Sequence, residues 1–376
     1  MNVLMISRSI YEWDVRVRRE ARALAAAGHH VTFIGLPSSM SNDGAIRVIG
    51  LGDHLKSPDG NRRQRPLWYR VGRWALLPEH RMRVQRRFQL LARQAAMGID
   101  PHPDVIHAHD FPALEPAVGL ADHYAAKLVY DSHEFWAGRP RRGRPEPLRR
   151  RRDLRHEAEL AKRADVVIMV SEQGAALLAR ELGLDRVVVI KNTFPVRNDL
   201  APPQTPAGAV YAGRIAPRRD LETVFAVDIW REPGFSLHLM GEVDHVRIPH
   251  WAVTHPIGSM EEVDRLLSDV GIGLVTMTRG SVNHRIALPN KLFQSVSVGV
   301  PVVAADVPQT ASVVTQHDLG RLYTPGDPTS LSDAVQSVIS DYRSLVNNVR
   351  RAQPLFDWAV DAQHLVDVYR SLEAQS

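Results

Sequence analysis

Short apolar runs alternate with segments of helical periodicity along almost the whole chain. In the first half, this pattern predicts buried strands at "VLMI", "VTFIGL", "DVIHAH", "KLVYDS", "DVVIMVS" and "RVVVIKN". Between them, apolar residues recur at helical spacing, as in "VRVRREARALAAAGHH", where Gly28 ends the helix. Repeated strand–helix units are typical of parallel sheets whose two faces are both covered by helices.

A polar, proline-rich stretch, "PVRNDLAPPQTPAG", interrupts this alternation near the middle of the chain. The alternation starts again at "AVYAGR" and continues through "FSLHLMG", "DVGIGLVTM", "VPVVAAD" and "GRLYTPG". A chain of 376 residues is also too long for one ordinary domain. We therefore predict an α/β protein with two Rossmann-like parallel-sheet domains, residues 1–195 and 196–355, that face a cleft. In such sheets ligands bind beyond the carboxyl ends of the strands.

The stretch "ALPNKLFQSVSVGVPVVAADVPQ", residues 287–309, predicts a loop, a helix and a strand in succession. Pro289 suits the first turn of the helix because its missing N–H would have no partner there, and Gly299 suits the helix end. Asn290 and Lys291 then lie at the open end of the helix, where free N–H groups and the helix dipole favour an anion. A packed helix with a solvated lysine is the alternative, and this stretch favours neither.

Two arginines follow the first predicted strand of the second half, in "YAGRIAPRRD". Arg214 comes at the strand end, and Arg219 precedes the next helix. Two guanidinium groups at such a turn can bind a diphosphate through paired hydrogen bonds. No G-x-G-x-x-G motif follows the first strand of either half, and no G-x-x-x-x-G-K-[ST] loop occurs. A dinucleotide dehydrogenase and a P-loop enzyme are therefore disfavoured.

Histidine and acidic side chains cluster after two neighbouring strands of the first half. They are His107, His109 and Asp110 in "DVIHAHDFP", and Asp131, His133 and Glu134 in "VYDSHEF". These residue types can bind a metal, but alternate residues of a strand point to opposite faces, which we take to separate the two histidines. No third ligand follows at a familiar spacing. We therefore predict no metal site, a buried structural His107, and a His109 that faces the cleft.

The first helix is predicted to begin after Asp14, a favourable N-cap residue, in "WDVRVRREA". Arg16 then lies in the first turn, where the helix dipole disfavours a positive charge. An arginine in this position indicates either a bound anion or an ion pair with Glu12 or Glu20.

Composition narrows the class of protein. Hydrophobic residues make up 44% of the chain and charged residues 24%, as in ordinary globular proteins, and the absence of cysteine excludes disulfides and thiolate metal sites. The start "MNVLMISRS" enters a strand directly, and no apolar run of about 18 residues follows anywhere. We therefore expect no signal peptide and no membrane span, and we predict a cytoplasmic protein.

Arginines are concentrated at residues 62–87 and 139–155, within a net charge of +5. A solvated surface, an anionic substrate and an anionic membrane all fit this bias. Trp68, Val71 and Trp74 share one helical face among the arginines, which resembles an interfacial amphipathic helix. Peripheral contact with the inner membrane face is therefore one prediction. Nucleic acid is excluded as a partner because no zinc-finger spacing, RNP pattern or helix-turn-helix occurs.

The order and spacing of these motifs resemble glycosyltransferase family 4, with its two-domain GT-B architecture. The resemblance rests on "DVRVRREARALAAAGHHV", "DVIHAHDF", "VYDSHE", "YAGRIAPRR", "LPNKLFQSVSVGVPVVA" and "YTPGDPTSLSDAV". The end of the chain, 356–376, resembles the family's last helix, which crosses back to the N-terminal domain. The resemblance implies a hexosyltransferase-like enzyme that moves a sugar from a UDP- or GDP-sugar with retention of configuration. It also implies that neither a metal nor another cofactor is needed.

Matching the family motifs residue by residue assigns candidate roles. Arg214 and Arg219 match the pair that binds the donor phosphates, and His109 matches a cleft histidine near the transferred sugar. The helix at Pro289 would hold the diphosphate, with Asn290, Lys291, Gln294 and Arg16 as further donor contacts. The family's two glutamates fall on Ile286 and Gln294, and its glycine-rich turn is replaced by "SIYEWDVRVRRE". We expect His133, Glu134 and Asp110 to face the acceptor or the cleft.

The acceptor is left open as a glycan, a lipid-linked glycan or a small natural product. Two other functions also remain open. A nonhydrolysing sugar-nucleotide epimerase would need acidic residues in the cleft, for which Asp110, Asp131 and Glu134 are the candidates. A catalytically silent sugar-nucleotide-binding protein is suggested by Ile286 and Gln294, which replace the family's glutamates.

Overall fold

The computed structural model describes residues 1–52, 85–139 and 147–374. The apolar stripe predicted to face a membrane, with Trp68, Val71 and Trp74, lies outside the described residues, so it stays a prediction. Within the described part of the chain, no helix is both long and apolar enough to cross a bilayer.

A first sheet of eight strands forms in the first half of the chain, in the order β3-β4-β2-β1-β5-β6-β7-β8. Its strands pair in parallel, except that β3 runs antiparallel to β4. The strands are β1 (Asn2–Ser7), β2 (His30–Gly35), β3 (Asn42–Asp43), β4 (Ile46–Gly50), β5 (Val105–His109), β6 (Lys127–Ser132), β7 (Val166–Met169) and β8 (Val188–Val189).

A second sheet of six parallel strands follows, in the order β11-β10-β9-β12-β13-β14. The strands are β9 (Gly208–Ala212), β10 (Ser236–Met240), β11 (Val253–His255), β12 (Gly273–Val275), β13 (Val302–Ala305) and β14 (Gly320–Tyr323). The prediction of two parallel-sheet Rossmann-like units is therefore confirmed. The exact boundaries after residues 195 and 355 stay predictions.

Helices connect the strands and cover both faces of each sheet. Those before the second sheet are α1 (Val15–Ala26), α2 (85–96), α3 (Phe111–Tyr124), α4 (Pro147–Ala161) and α5 (Glu172–Leu182). Those after its first strand are α6 (Leu221–Phe225), α7 (Met260–Val270), α8 (Val282–Ile286), α9 (Asn290–Ser297), α10 (Pro308–Gln316), α11 (Pro328–Ser340), α12 (Tyr342–Ala352) and α13 (Trp358–Glu373).

The last helix, α13, packs on the first domain, as the predicted architecture requires. Its apolar residues Leu365 and Leu372 belong to the same buried cluster as Val17 and Leu24 of α1. Asp357 caps the start of α13 by accepting a hydrogen bond from the backbone of Ala359. Burial of this apolar stripe holds α13 against α1 and the first sheet.

The helix predicted near residue 289 begins one residue later than expected. Pro289 occupies the N-cap position and α9 starts at Asn290. Gly299, just beyond the helix end, has a φ of +78°, a left-handed conformation that glycine adopts without a Cβ penalty. The strand "VVAA" of β13 then lies wholly buried, as its apolar run predicts.

Candidate functional site

A lysine lies unpaired at the carboxyl end of the second sheet. Lys291, in the first turn of α9, places its Nζ 4.5 Å from the ring centroid of Tyr211. Gly213 follows β9 with a φ of +130°, and a Cβ there would lie 3.0 Å from the Lys291 Nζ. Burial, together with the nearby charge of Arg219, lowers the pKa of Lys291 to about 8. Within the described residues, neither Lys291 nor Arg219 forms an ion pair with a carboxylate.

The two predicted phosphate-binding arginines differ in their surroundings. Arg219 is exposed in the loop between β9 and α6 and lies close enough to Lys291 to repel its charge. Arg214 is 54% exposed, and its Nη2 lies 2.6 Å from the Asp244 carboxylate. The Tyr211 hydroxyl donates to the backbone oxygen of Arg214 at 2.8 Å, which holds the turn after β9 in place. Arg219 is thus free to meet an anion, whereas Arg214 would have to share its guanidinium with Asp244.

Gln294 does not face the cleft, contrary to the prediction that it would meet the donor ribose. Its side chain is 6% exposed, and its Nε2 donates to the Asp264 carboxylate at 2.9 Å. The same carboxylate accepts from Arg197 at 2.9 Å. Because a buried carboxylate needs several donors, the amide is bound within the second domain.

Ile286 joins the two domains. It is 7% exposed and belongs to the hydrophobic cluster of the first domain, although it lies in the second half of the chain. The Ser171 hydroxyl donates to its backbone oxygen at 2.7 Å. Asn283, on the same helix α8, donates to the Glu134 carboxylate at 2.9 Å. The position that holds a glutamate in the family therefore contributes an apolar contact between the domains.

The two histidines of β5 stack on each other, so the prediction that they point apart is wrong. The ring centroids of His107 and His109 lie 4.3 Å apart with planes 15° from parallel. Residues two positions apart on a strand share a face, because only successive residues alternate. His107 is buried, as predicted, and its Nδ1 lies 2.8 Å from the Tyr369 hydroxyl of α13. His109 is also completely buried, so it does not reach the cleft surface.

Arg16 is bound by the protein itself. Its Nε and Nη2 donate to the Asp131 carboxylate at 2.9 Å each, and its Nη1 donates to the Ile190 backbone oxygen at 3.0 Å. The Glu20 carboxylate lies 2.9 Å from the same Nε, so the ion-pair alternative with Glu20 is the one observed. Three of the five guanidinium N–H groups thus donate to the protein, which holds Arg16 in the first domain, and its donor contact stays a prediction.

Burial and Arg16 give the two carboxylates of this network opposite pKa shifts. Burial raises the pKa of Glu20 to about 7, against the attraction of Arg16. For Asp131, burial acts in the same direction, but the charges of Arg16 and His133 hold its pKa well below the ordinary range. Asp131 is therefore a fixed negative charge beneath the cleft.

His133 is the histidine that reaches the cleft. Its side chain is 21% exposed, its Nε2 lies 2.9 Å from Asp131, and its Nδ1 lies 3.6 Å from Asp110. The backbone N–H of His133 donates to Asp110 at 3.1 Å. Burial lowers the pKa of His133, but the two carboxylates outweigh it and raise the pKa to about 10. His109 lies behind this ring, with its Nδ1 3.4 Å from the His133 Nε2.

A cavity of about 530 Å³ lies between the two domains. The first domain contributes His133 and Asn192 to its wall, and the second contributes Leu288 and Asn290. The Asn192 amide donates to the Asn290 side-chain oxygen at 2.7 Å, which links the two sides. Asn290, which precedes Lys291 in the chain, and the partly exposed His133 therefore line the same cavity.

The structure also adds Glu20 to the histidine and acidic residues that the sequence groups after β5 and β6. Possible metal-binding atoms of Glu20, His107, His109 and Asp131 all lie within 4.8 Å of one another. Arg16 already lies 2.9 Å from both carboxylates and supplies the positive charge that a metal would bring. The donor set therefore suits a metal poorly, and the absence of a metal stays a prediction. The signal that could have revealed the cluster is the i, i+2 spacing of the histidines.

Comparison with known proteins agrees with this arrangement. The family profile of the glycosyl transferase 4-like domain matches residues 14–193, and that of glycosyl transferases group 1 matches residues 208–341. The glycogen synthase of Mycobacterium tuberculosis is 25% identical over an alignment of 392 positions, gaps included. The alignment covers 94% of this chain and 89% of that protein.

Solved structures share the fold over the full length. The sucrose-phosphate synthase of Thermosynechococcus elongatus superposes with a TM-score of 0.77 at 19% identity, covering 100% of both chains. Anabaena HepE in complex with UDP and glucose gives a TM-score of 0.69 at 14% identity, covering 99% of this chain and 100% of that one. With two successive family profiles that together span most of its length, the chain belongs to the family 4-like glycosyltransferases of the GT-B fold.

Proposed function

We propose that this glycosyltransferase moves a sugar from a nucleoside-diphosphate donor, with retention of configuration, to an acceptor bound on the first-domain side of the cleft. One observation carries the proposal. Lys291 and Arg219 place two positive charges at the carboxyl end of the second sheet, and no carboxylate in the described residues neutralises either. A half-buried cation held beside another cation, at the start of a helix, calls for an anionic ligand.

The donor's diphosphate fits these charges. Lys291, Arg219 and the free N–H groups of α9 would stabilise the negative charge that develops on the leaving diphosphate. This is the work that a divalent cation performs in other phosphate sites, so no metal is needed. UDP is the first candidate for the nucleotide, because HepE was solved with UDP and with UDP-glucose.

His133 is proposed as the side chain nearest the transferred sugar, in place of the buried His109. Its raised pKa, about 10, keeps it protonated at neutral pH. A protonated imidazole donates hydrogen bonds and has no lone pair with which to accept a proton. His133 therefore orients the sugar or the phosphate, and the acceptor's proton passes to a donor phosphate oxygen. His109 and Asp131 act as positioning residues that hold the His133 ring.

The three acidic residues that an epimerase would use are already engaged. Asp131 is bound by Arg16, Asp110 accepts from the His133 backbone, and Glu134 is paired with Arg139 at 2.5 Å. Each carboxylate is thus held by a partner in the protein, which favours transfer over epimerisation.

Incubation with UDP-glucose, UDP-galactose and GDP-mannose, followed by NMR of the anomeric proton, tests the proposal. The expected result is slow donor hydrolysis and, with an acceptor, a product of the donor's own anomeric configuration. An inverted product would refute retention, and a C2-epimerised donor would indicate the epimerase. Nucleotide binding without any turnover would indicate a silent binding protein. Cytoplasmic location, the acceptor role of residues 1–195 and membrane contact stay predictions.

A further inference from the structure

Trp13 is a solvent-exposed tryptophan at the wall of the cleft. Trp13 is 80% exposed, yet it lines the cavity of about 530 Å³ between the domains. Tryptophan normally buries most of its surface, because its ring is the largest apolar group among the side chains. Its loop, "SIYEWDVRVRRE", stands where the family has a glycine-rich turn.

The residues just before Trp13 are firmly anchored. Tyr11 is fully buried, and its hydroxyl donates to the Asp43 carboxylate at 2.9 Å. Glu12 accepts hydrogen bonds from the backbone N–H and the hydroxyl of Ser39, the latter at 2.7 Å. The Trp13 ring is thus held outward by a rigid turn, so a ligand that stacks on it would meet little cost of ordering the loop.

The residue just after Trp13 is fixed as well. Asp14 caps α1, since its side chain accepts from the Val17 backbone N–H at 3.2 Å. The Trp13 backbone N–H donates to the Ile10 oxygen at 3.1 Å, which closes the short turn. Both ends of the turn are therefore set by the fold and not by a ligand.

The cavity wall beside the ring combines polar and apolar groups. Ser9, Asn192 and Asn290 offer hydroxyl and amide groups, and Ile10 and Leu288 offer apolar surface. Asp14 and the protonated His133 add one charge of each sign. Arg16 also borders the space, but its nitrogens are bound to the protein. A pyranose ring presents an apolar C–H face and a rim of hydroxyl groups, and this wall offers a partner for each.

We propose that Trp13 is the stacking platform for a pyranose ring of the acceptor, so that the acceptor is a saccharide. The assignment rests on the proposed function, because it takes the second-domain side of the cleft to hold the donor. A planar aromatic aglycone would stack on the same ring, and the experiment separates the two sources.

The test uses full-length protein labelled with 5-fluorotryptophan, in which the Trp13→Phe variant assigns one resonance among the seven tryptophans. The probes are methyl α-glucopyranoside, methyl α-mannopyranoside and 4-methylumbelliferone, each added in the presence of UDP. We expect at least one glycoside to move the Trp13 resonance. Trp13→Ala should weaken its binding about tenfold, the usual scale of an aromatic stacking contact, and Trp13→Phe should restore most of it.

Ile257, 73% exposed on the second domain, provides the matched control. Ile257→Ala should bind the glycoside and hydrolyse UDP-glucose as the unaltered protein does. The saccharide assignment would be overturned if 4-methylumbelliferone alone shifted the Trp13 resonance, or if no probe shifted it. It would also be overturned if Trp13→Ala and Ile257→Ala weakened glycoside binding equally. Failure of the unaltered protein to bind or hydrolyse any of UDP-glucose, UDP-galactose and GDP-mannose would refute the proposed function. The shift of the Trp13 resonance on glycoside binding is measured separately and does not depend on that result.

Discussion

Replacement of Lys291 by methionine would remove one positive charge from the candidate donor site and keep a side chain of similar length. The stem would still cover the Tyr211 ring, over which the Nζ now lies at 4.5 Å. Gly213 leaves room for this side chain, so methionine should fit without strain. The variant therefore isolates the charge from the packing.

Two effects of opposite sign are expected from this substitution. A charged hydrogen bond to a diphosphate contributes about 1.5–3 kcal/mol, so UDP should bind roughly 10- to 150-fold more weakly. In the free protein, however, the charge is unfavourable, since the pKa of Lys291 is about 8 against an ordinary value of about 10.4. That difference corresponds to about 3 kcal/mol, which partial exposure reduces to about 1–2 kcal/mol. Lys291→Met should therefore stabilise the free protein while it weakens donor binding.

The pH dependence follows from the same charge. Lys291 binds the diphosphate as an ammonium group, which is fully present below about pH 8 in the free protein. UDP affinity should therefore fall as the pH rises above that value, over a range in which the phosphates keep their charge. In Lys291→Met this fall should disappear.

Isothermal titration with UDP and with uridine, together with thermal unfolding in the absence of ligand, measures these effects. Uridine should bind both proteins equally because it lacks the diphosphate. Lys127→Met is the matched control, since Lys127 lies in the first domain and pairs with Asp165 at 3.4 Å. The reasoning would be refuted if Lys291→Met bound UDP as tightly as the unaltered protein, or if it lost stability instead of gaining it.

Three further predictions concern the geometry around the cleft. His133→Gln should destabilise the protein near neutral pH, because the raised pKa of His133 stabilises the fold below about pH 6.5 and this contribution is lost through about pH 10. Urea titrations should show the difference from the unaltered protein shrinking as the pH rises between those values. Gly213→Ala should cost about 1–3 kcal/mol, because its φ is +130°, and should also weaken UDP binding through contact with Lys291; equal melting temperatures would contradict this. Ile286→Glu should bury a charge in the first-domain cluster and separate the domains, which small-angle scattering would detect as a larger radius of gyration.

Much of the fold could be predicted from the pattern of the chain. Buried parallel strands are apolar on both faces, so their runs are visible without any knowledge of their neighbours. The strands that escaped prediction are β3, β4 and β11, of which β3 and β11 lie at sheet edges. An edge strand is paired on one side only and needs less apolar sequence, so its pattern is weak.

The second-domain candidates were also accessible from the sequence. The order of strand, turn and helix places Lys291 and Arg219 at the carboxyl end of the second sheet, where parallel sheets bind ligands. The sequence could not show that Arg214 is paired with a carboxylate, because its partner Asp244 lies thirty positions away on another loop. Ion pairs between loops depend on how the loops fold over the sheet and leave no local signal.

In the first domain, the sequence by itself determined which residue types gather after β5 and β6, and the tertiary structure decided which of them reaches the cleft. His109 was predicted there, but it is completely buried with its Nδ1 3.9 Å from Glu20 of α1, and His133 takes the surface position. The tertiary structure also decided the surroundings of Arg16 and Ile286. The Arg16 guanidinium pairs with Asp131, 115 positions away, and Ile286 packs in the hydrophobic cluster of the other domain. Periodicity reports which face of its own element a side chain occupies, whereas burial and charge pairing depend on what other elements bring to that face.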